Sequence, residues 1–121
     1  MPRIWVVEDN DQNFELVEFL LAEGGHEVVR ARDGGEMALL LGGARPDLVL
    51  LDMSLPAGSG LGVLSDLRGR PELARVPVVA LTAHAMRGDR ERFLAAGCDG
   101  YLAKPLETAT FLAEIEAFLV G

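Results

Sequence analysis

Short runs of aliphatic residues alternate along the chain with longer stretches in which apolar residues recur at helical spacing. The aliphatic runs are nearly continuous and lack the alternation of a strand with one face in water. They therefore predict strands that are buried on both faces, and the stretches between them predict helices that cover those faces. Because strand and helix alternate five times, the pattern predicts an α/β fold with a doubly wound, five-stranded parallel sheet.

The boundaries of these elements follow from the apolar runs and from turn residues. The predicted strands cover residues 3–8, 26–31, 47–52, 76–82 and 100–103. The predicted helices cover residues 11–23, 34–41, 61–68, 86–96 and 107–119. The second strand mixes polar and apolar residues, which is typical of a strand near the edge of a sheet.

Composition narrows the class of protein. The chain has 121 residues, of which 50% are hydrophobic, so residues 1–121 are expected to form a single domain. The net charge of −8 argues against direct nucleic-acid binding, which needs a basic surface. No apolar stretch approaches the ~18 residues of a membrane span, so no membrane insertion is expected. The lone cysteine fits a reducing compartment, and we expect a cytoplasmic protein.

Polar residues follow the carboxyl ends of four predicted strands. Glu8 ends the first predicted strand and Asp9 follows it, and Asp52 ends the third. Thr82 ends the fourth strand, and Lys104 follows the fifth. In a parallel sheet these ends meet at one edge, where ligands bind. The sequence therefore predicts one site that contains three carboxylates, a hydroxyl and an ammonium group.

The three carboxylates predict a metal site. Two unit charges ~4 Å apart repel by about 4 kcal/mol at an effective dielectric constant near 20. Such a cluster either has a raised pKa or binds a divalent cation. Oxygen ligands suit a hard ion such as Mg²⁺, whereas one cysteine and two distant histidines do not suit zinc.

The other two groups suggest phosphoryl transfer. The Lys104 ammonium and the Thr82 hydroxyl could bind the oxygens of a phosphoryl group that is delivered to a carboxylate. A carboxylate can itself accept that group as an aspartyl phosphate. Asp52 is the natural acceptor, because it stands alone at its strand end between the Glu8–Asp9 pair and Lys104.

Four segments together resemble the receiver domain of bacterial two-component response regulators. They are Glu8–Asn10, Leu50–Pro56 with Gly60 beyond it, Ala80–Ala83 and Gly100–Pro105. The resemblance covers essentially the whole chain and implies the flavodoxin-like (βα)5 receiver fold. The composition around residues 82–86 and 97–101 is most similar to stand-alone regulators of the cell-division-control type.

The resemblance implies a role for each site residue. Asp52 would be the phosphorylation site, and Glu8 and Asp9 would bind Mg²⁺ together with the backbone carbonyl of Ser54. The family usually has Gly-Met-Asp-Gly in the loop after residue 56, whereas this chain has Ala-Gly-Ser-Gly at residues 57–60. This departure does not touch the phosphorylation chemistry.

A switch is implied in the same way. Thr82 and Lys104 would contact the phosphoryl group, and Tyr101 would swing inward when Thr82 moves. The Lys104–Pro105 peptide bond is expected to be cis, which is uncommon even before proline.

Partners follow from the resemblance as well. A histidine kinase or a histidine phosphotransfer protein would donate the phosphoryl group. A protein target would read the face formed by the fourth helix, the fifth strand and the fifth helix. The protein would accept and lose its own phosphoryl group, and would otherwise not be an enzyme.

Three alternatives stay open from the residues alone. A phosphohydrolase of the haloacid-dehalogenase type would need a second aspartate at position 54, which is serine. A flavodoxin-like cofactor binder would need a phosphate loop after the first strand, where residues 8–11 are mostly acidic. A pseudo-receiver would normally lack one of the five site residues.

Four further residues have plainer interpretations. Cys98 is expected to be a small buried residue, and Trp5 to belong to the core. His26 is expected at the surface. His84 either modulates water access to the site or is simply exposed.

Overall fold

A computed structural model describes residues 2–40, 43, 45–53, 59–82 and 88–119. The strands are β1 (Arg3–Val7), β2 (Glu27–Ala31), β3 (Leu48–Asp52), β4 (Val78–Thr82) and β5 (Gly100–Ala103). The helices are α1 (Asp11–Glu23), α2 (Gly34–Leu40), α3 (Ser59–Arg68), α4 (Asp89–Ala96) and α5 (Phe111–Leu119). All strand pairs are parallel, in the order β2-β1-β3-β4-β5. The predicted sheet is confirmed, and β2 lies at its edge.

Each face of the sheet has its own hydrophobic core. On one face, α1 and α5 pack through Phe14, Val17, Phe111 and Ile115. On the other face, α2, α3 and α4 pack on a second cluster, which contains Trp5, Met37, Leu64, Phe93 and Cys98. Because helices cover both faces, the strands can be apolar at nearly every position. The predictions of a core tryptophan and a buried cysteine are confirmed.

Polar caps and glycines set the helix ends. The Asn10 side chain accepts a hydrogen bond from the Asn13 amide and caps α1, which begins directly after β1. Gly25, with a φ of 79°, turns the chain after α1, and Gly97, with a φ of 119°, ends α4. Both conformations favour glycine. None of the helices within the described ranges is long and apolar enough to cross a membrane.

The start of the fifth helix differs from its predicted position. Helix α5 begins at Phe111 rather than at residue 107. The Glu107 carbonyl accepts hydrogen bonds from the amides of both Thr110 and Phe111, so residues 108–110 form turns before the helix starts. The predicted start of the fourth helix, Met86, lies outside the described residues.

The prediction of a surface position for His26 is wrong. Its side chain is only 6% exposed, and its Nε2 lies 2.8 Å from Oε2 of Glu116 on α5. The turn after α1 carries this ring against the last helix, 90 residues further along the chain. A contact over that distance leaves no local pattern around residue 26.

Helix α5 also lies directly on the backbone of β5. A Cβ atom added to Gly100 would stand 2.3 Å from Cζ of Phe118. No side chain therefore separates this part of the strand from the ring above it. Gly100 is required here for close approach.

Candidate functional site

The predicted site residues come together at the carboxyl edge of the sheet. Glu8 directly follows β1, Asp52 and Thr82 are the last residues of β3 and β4, and Lys104 directly follows β5. In the part of the chain that the structure describes, Glu8, Asp52 and Thr82 are the buried polar or charged residues. Asp9 is exposed. The site is thus a buried polar centre with one carboxylate on its rim.

The three carboxylates form a cluster that fits a divalent cation. One oxygen each from Glu8, Asp9 and Asp52 lies within 4.8 Å of the others. Hard oxygen donors, with an exposed residue among them that leaves room for water, suit Mg²⁺. Ser54, whose carbonyl is expected to complete the set, lies outside the described residues, as does His84.

Lys104 contacts two of these carboxylates. Its Nζ lies 2.9 Å from Oε1 of Glu8 and 3.3 Å from Oδ2 of Asp52, and its side chain is 11% exposed. Its backbone amide donates a 2.7 Å hydrogen bond to the Thr82 carbonyl. The sequence predicts Asp52 between the Glu8–Asp9 pair and Lys104. The structure shows that Lys104 also contacts one member of that pair, Glu8.

Burial changes the acidity of Glu8. Desolvation raises its pKa from 4.5 to about 7, and its hydrogen bond with Asp52 acts in the same direction. Lys104 acts in the opposite direction. Without a metal ion, Glu8 therefore tends to keep its proton, and a bound cation would favour the ionised form.

This shift predicts a pH dependence of stability in metal-free protein. Between pH 4.5 and about 7 the folded state binds more protons than the unfolded state. The free energy of unfolding therefore falls as the pH rises through that window, by on the order of 3 kcal/mol at most. Urea denaturation in the presence of a chelator measures the slope. Glu8→Gln should remove it, whereas the exposed Glu18→Gln should keep it. A slope unchanged in Glu8→Gln would assign it to another group.

The predicted switch residue lies on the α4 side of the sheet. Tyr101 is half-buried, and its ring centroid is 5.9 Å from that of Phe93 on α4. Burial raises its pKa, and the carboxylates of Asp89 and Glu91 add to the effect. The Lys104–Pro105 peptide bond is cis, in agreement with the expectation. Movement of Tyr101 with Thr82 stays a prediction.

Arg30 contacts the site, although the sequence pattern does not predict it as a site residue. Arg30 on β2 donates from Nε and Nη2 to the backbone carbonyl of Glu8, both at 3.2 Å. A contact with a backbone atom follows no residue pattern. In the sequence, the one indication was that Arg30 is a charged residue within the predicted edge strand.

This fold and site are those of a phosphoryl-accepting signalling domain. The chain belongs to the response regulator receiver domain family, whose model matches residues 4–116. It is 42% identical over 120 residues to the polar-differentiation response regulator DivK of Brucella anthropi, and the match covers 98% of each chain. The protein is accordingly a receiver domain of two-component signalling.

Two solved structures are similar over nearly the whole chain. One is the receiver domain of a sensor histidine kinase from Pseudomonas aeruginosa, with a magnesium ion coordinated in its active-site cleft. It has a TM-score of 0.88 and 34% identity, and the match covers 99% of this chain and 98% of that one. The other is the phosphorylated cyanobacterial phytochrome response regulator RcpA. It has a TM-score of 0.84 and 33% identity, and the match covers 99% of this chain and 94% of that one. These likenesses favour the receiver interpretation over the phosphohydrolase and flavodoxin alternatives.

Proposed function

We propose that the protein is a single-domain response regulator that accepts a phosphoryl group on Asp52 in a Mg²⁺-dependent reaction. The observation that carries this proposal is the contact of Asp52 with Lys104 at the end of a central strand, within a cluster of three carboxylates. The donor is a histidine kinase or a histidine phosphotransfer protein. The DivK-type relatives and the phosphorylated RcpA structure support this class of chemistry.

The chemistry on this chain is a displacement at phosphorus. A carboxylate oxygen of Asp52 forms the new P–O bond while the P–N bond to the donor histidine breaks, and the histidine nitrogen leaves with the bonding electrons. Lys104 neutralises charge on the phosphoryl oxygens, and the Thr82 hydroxyl donates to one of them. Asp9, Asp52, Glu8 and the Ser54 carbonyl would hold Mg²⁺, which supplies charge neutralisation between acceptor and phosphoryl group.

The output is a change in protein–protein contacts. A phosphoryl group adds up to about two negative charges and three acceptor oxygens at Asp52. Thr82 and Lys104 reorganise around them, and Tyr101 follows, which changes the face formed by α4, β5 and α5. A downstream protein reads that face. The net charge of −8 argues against direct DNA contact, and the lone cysteine fits a reducing site of action, the cytoplasm.

Phosphorylation by a small donor tests the function directly. Incubation with phosphoramidate and Mg²⁺ should add one phosphoryl group to the chain, as measured by intact mass. A chelator should prevent the addition, because the metal's share of the charge neutralisation between the acceptor and the phosphoryl group is then missing. Labelling that is equally fast with chelator present would contradict the proposed role of the metal.

Mg²⁺ should also stabilise the folded protein. Binding to the folded state alone, at ten times the dissociation constant, adds about 1.4 kcal/mol to the free energy of unfolding. Thermal melts with and without Mg²⁺ should therefore differ. Asp9→Ala should erase the difference, whereas Asp66→Asn, an exposed aspartate on α3, should keep it. A difference that survives in Asp9→Ala would place the ion elsewhere.

A further inference from the structure

The β1–β2 ladder continues one step past its last residue pair through the side chain of Arg30. The last paired residues are Val7 and Ala31. Beyond them, the Glu8 amide still donates to the Ala31 carbonyl at 2.9 Å. The Glu8 carbonyl is bound by the Arg30 guanidinium, which donates two hydrogen bonds of 3.2 Å. Both backbone groups of Glu8 are thus bound by the edge strand.

The hydrogen bonds to the Glu8 carbonyl also fix the orientation of the peptide unit that leads into Asp9. The Glu8 carbonyl and the Asp9 amide belong to one planar peptide unit. With the carbonyl oxygen fixed, the plane has little freedom to rotate, so the direction in which Asp9 leaves the strand is fixed with it. Asp9 is exposed, and other parts of the protein restrain it less than its buried neighbour Glu8.

Arg30 also binds the far side of the Asp9–Asn10 link. Its Nη2 lies 2.8 Å from Oδ1 of Asp11, the first residue of α1. Its guanidinium carbon stands 4.6 Å from the centre of the Phe14 ring, one turn further along the helix. One side chain therefore contacts residues 8 and 11 and spans the two residues between them.

Asp11 orients the guanidinium more than it adds stability. It is 64% exposed and is shared with Arg32, whose Nη1 lies 3.0 Å from the same oxygen. An ion pair this exposed contributes little free energy. With Nη2 of Arg30 2.8 Å from its Oδ1, Asp11 keeps the guanidinium on the side of the Glu8 carbonyl that faces α1.

We propose that Arg30 is a positioning residue for the metal site, which it serves by fixing the peptide unit between Glu8 and Asp9. The inference rests on the proposed function, because it assumes that Asp9 binds Mg²⁺. Positioning and simple electrostatics predict opposite effects of removing Arg30 on the affinity for the cation. Removing a nearby positive charge should by itself tighten cation binding. Loss of positioning should weaken it.

Titration with Mg²⁺ alone, followed by amide resonances in metal-free full-length protein, separates these effects. Arg30→Ala should raise the dissociation constant about tenfold, the lower end of what outer partners of metal ligands contribute. It should also shift the Asp9 and Asn10 amides before any ion is added. Arg32→Ala removes a charge that shares Asp11 but does not contact the Glu8 carbonyl. This control should bind Mg²⁺ as tightly as the wild type, or more tightly.

Arg30→Lys keeps the charge but replaces a planar fork with a single ammonium group. It should raise the dissociation constant by about threefold, between the wild type and the alanine variant. This variant also decides the question if Arg30→Ala does not fold. Wild-type affinity in Arg30→Lys, or unchanged or tighter binding in Arg30→Ala, would overturn the inference. Absence of binding at these amides in the wild type would instead overturn the proposed metal site.

Discussion

Asp52→Asn is expected to abolish phosphorylation of the chain. The amide has the shape of the carboxylate but lacks the anionic oxygen that attacks phosphorus. The variant should therefore gain no mass from phosphoramidate and Mg²⁺ under conditions that label the wild type once. Asp66→Asn, on the surface of α3, serves as the matched control and should be labelled normally.

The structure gives a reason to expect complete loss. Asp52 is the one buried aspartate among the residues that the structure describes, and its carboxylate is 3.3 Å from the Lys104 ammonium. No other described aspartate combines burial with a lysine at this distance. Labelling that persists in Asp52→Asn would show that a different residue is the acceptor.

Lys104→Ala is expected to separate phosphorylation from its output. The variant should still bind Mg²⁺ and accept a phosphoryl group, though more slowly, because the carboxylates that bind the ion remain. It should lose the response at Tyr101, because no ammonium group would then draw the β5 loop toward the added charge. Amide spectra with beryllofluoride, a mimic of the phosphoryl group, should change near Asp52 but little near Tyr101 and α4.

Because Lys104 also contacts Glu8, the stability of Lys104→Ala has to be controlled in that experiment. Removing one partner of a buried ion pair commonly costs about 3–5 kcal/mol, so the variant should be compared in Mg²⁺, which offsets the charge of the carboxylates that lose Lys104. Lys104→Arg keeps the charge and serves as the control for stability. If the Tyr101 amide of Lys104→Ala shifts with beryllofluoride as much as in the wild type, another residue links the site to the face formed by α4, β5 and α5.

Topology explains why so much of the site could be predicted. Aliphatic runs identified β1, β3, β4 and β5, and parallel pairing brings their carboxyl ends together whatever the side chains are. Glu8, Asp52, Thr82 and Lys104 therefore needed only a correct strand assignment. The match to a receiver family then supplied roles that strand ends alone do not give.

Contacts that depend on side-chain reach could not be predicted in the same way. Lys104 was expected opposite the acidic pair, but its four-carbon chain reaches Glu8 as well as Asp52. Arg30 binds a carbonyl, and every residue has one. The His26 side chain is covered by a contact with a helix residue 90 positions away. None of these contacts is encoded in a local spacing of residue types.

The close contact between Gly100 and Phe118 affects how a displacement of β5 would reach α5 in the face formed by α4, β5 and α5. Where a helix rests on a strand through side chains of both elements, either side chain can change rotamer and absorb a small displacement. Here the Phe118 ring rests on the strand backbone itself. A shift of β5 would therefore press on the Phe118 ring directly, because one side chain rather than two lies between the strand backbone and α5. Two elements of the face that a partner would read are thus coupled through a single aromatic side chain.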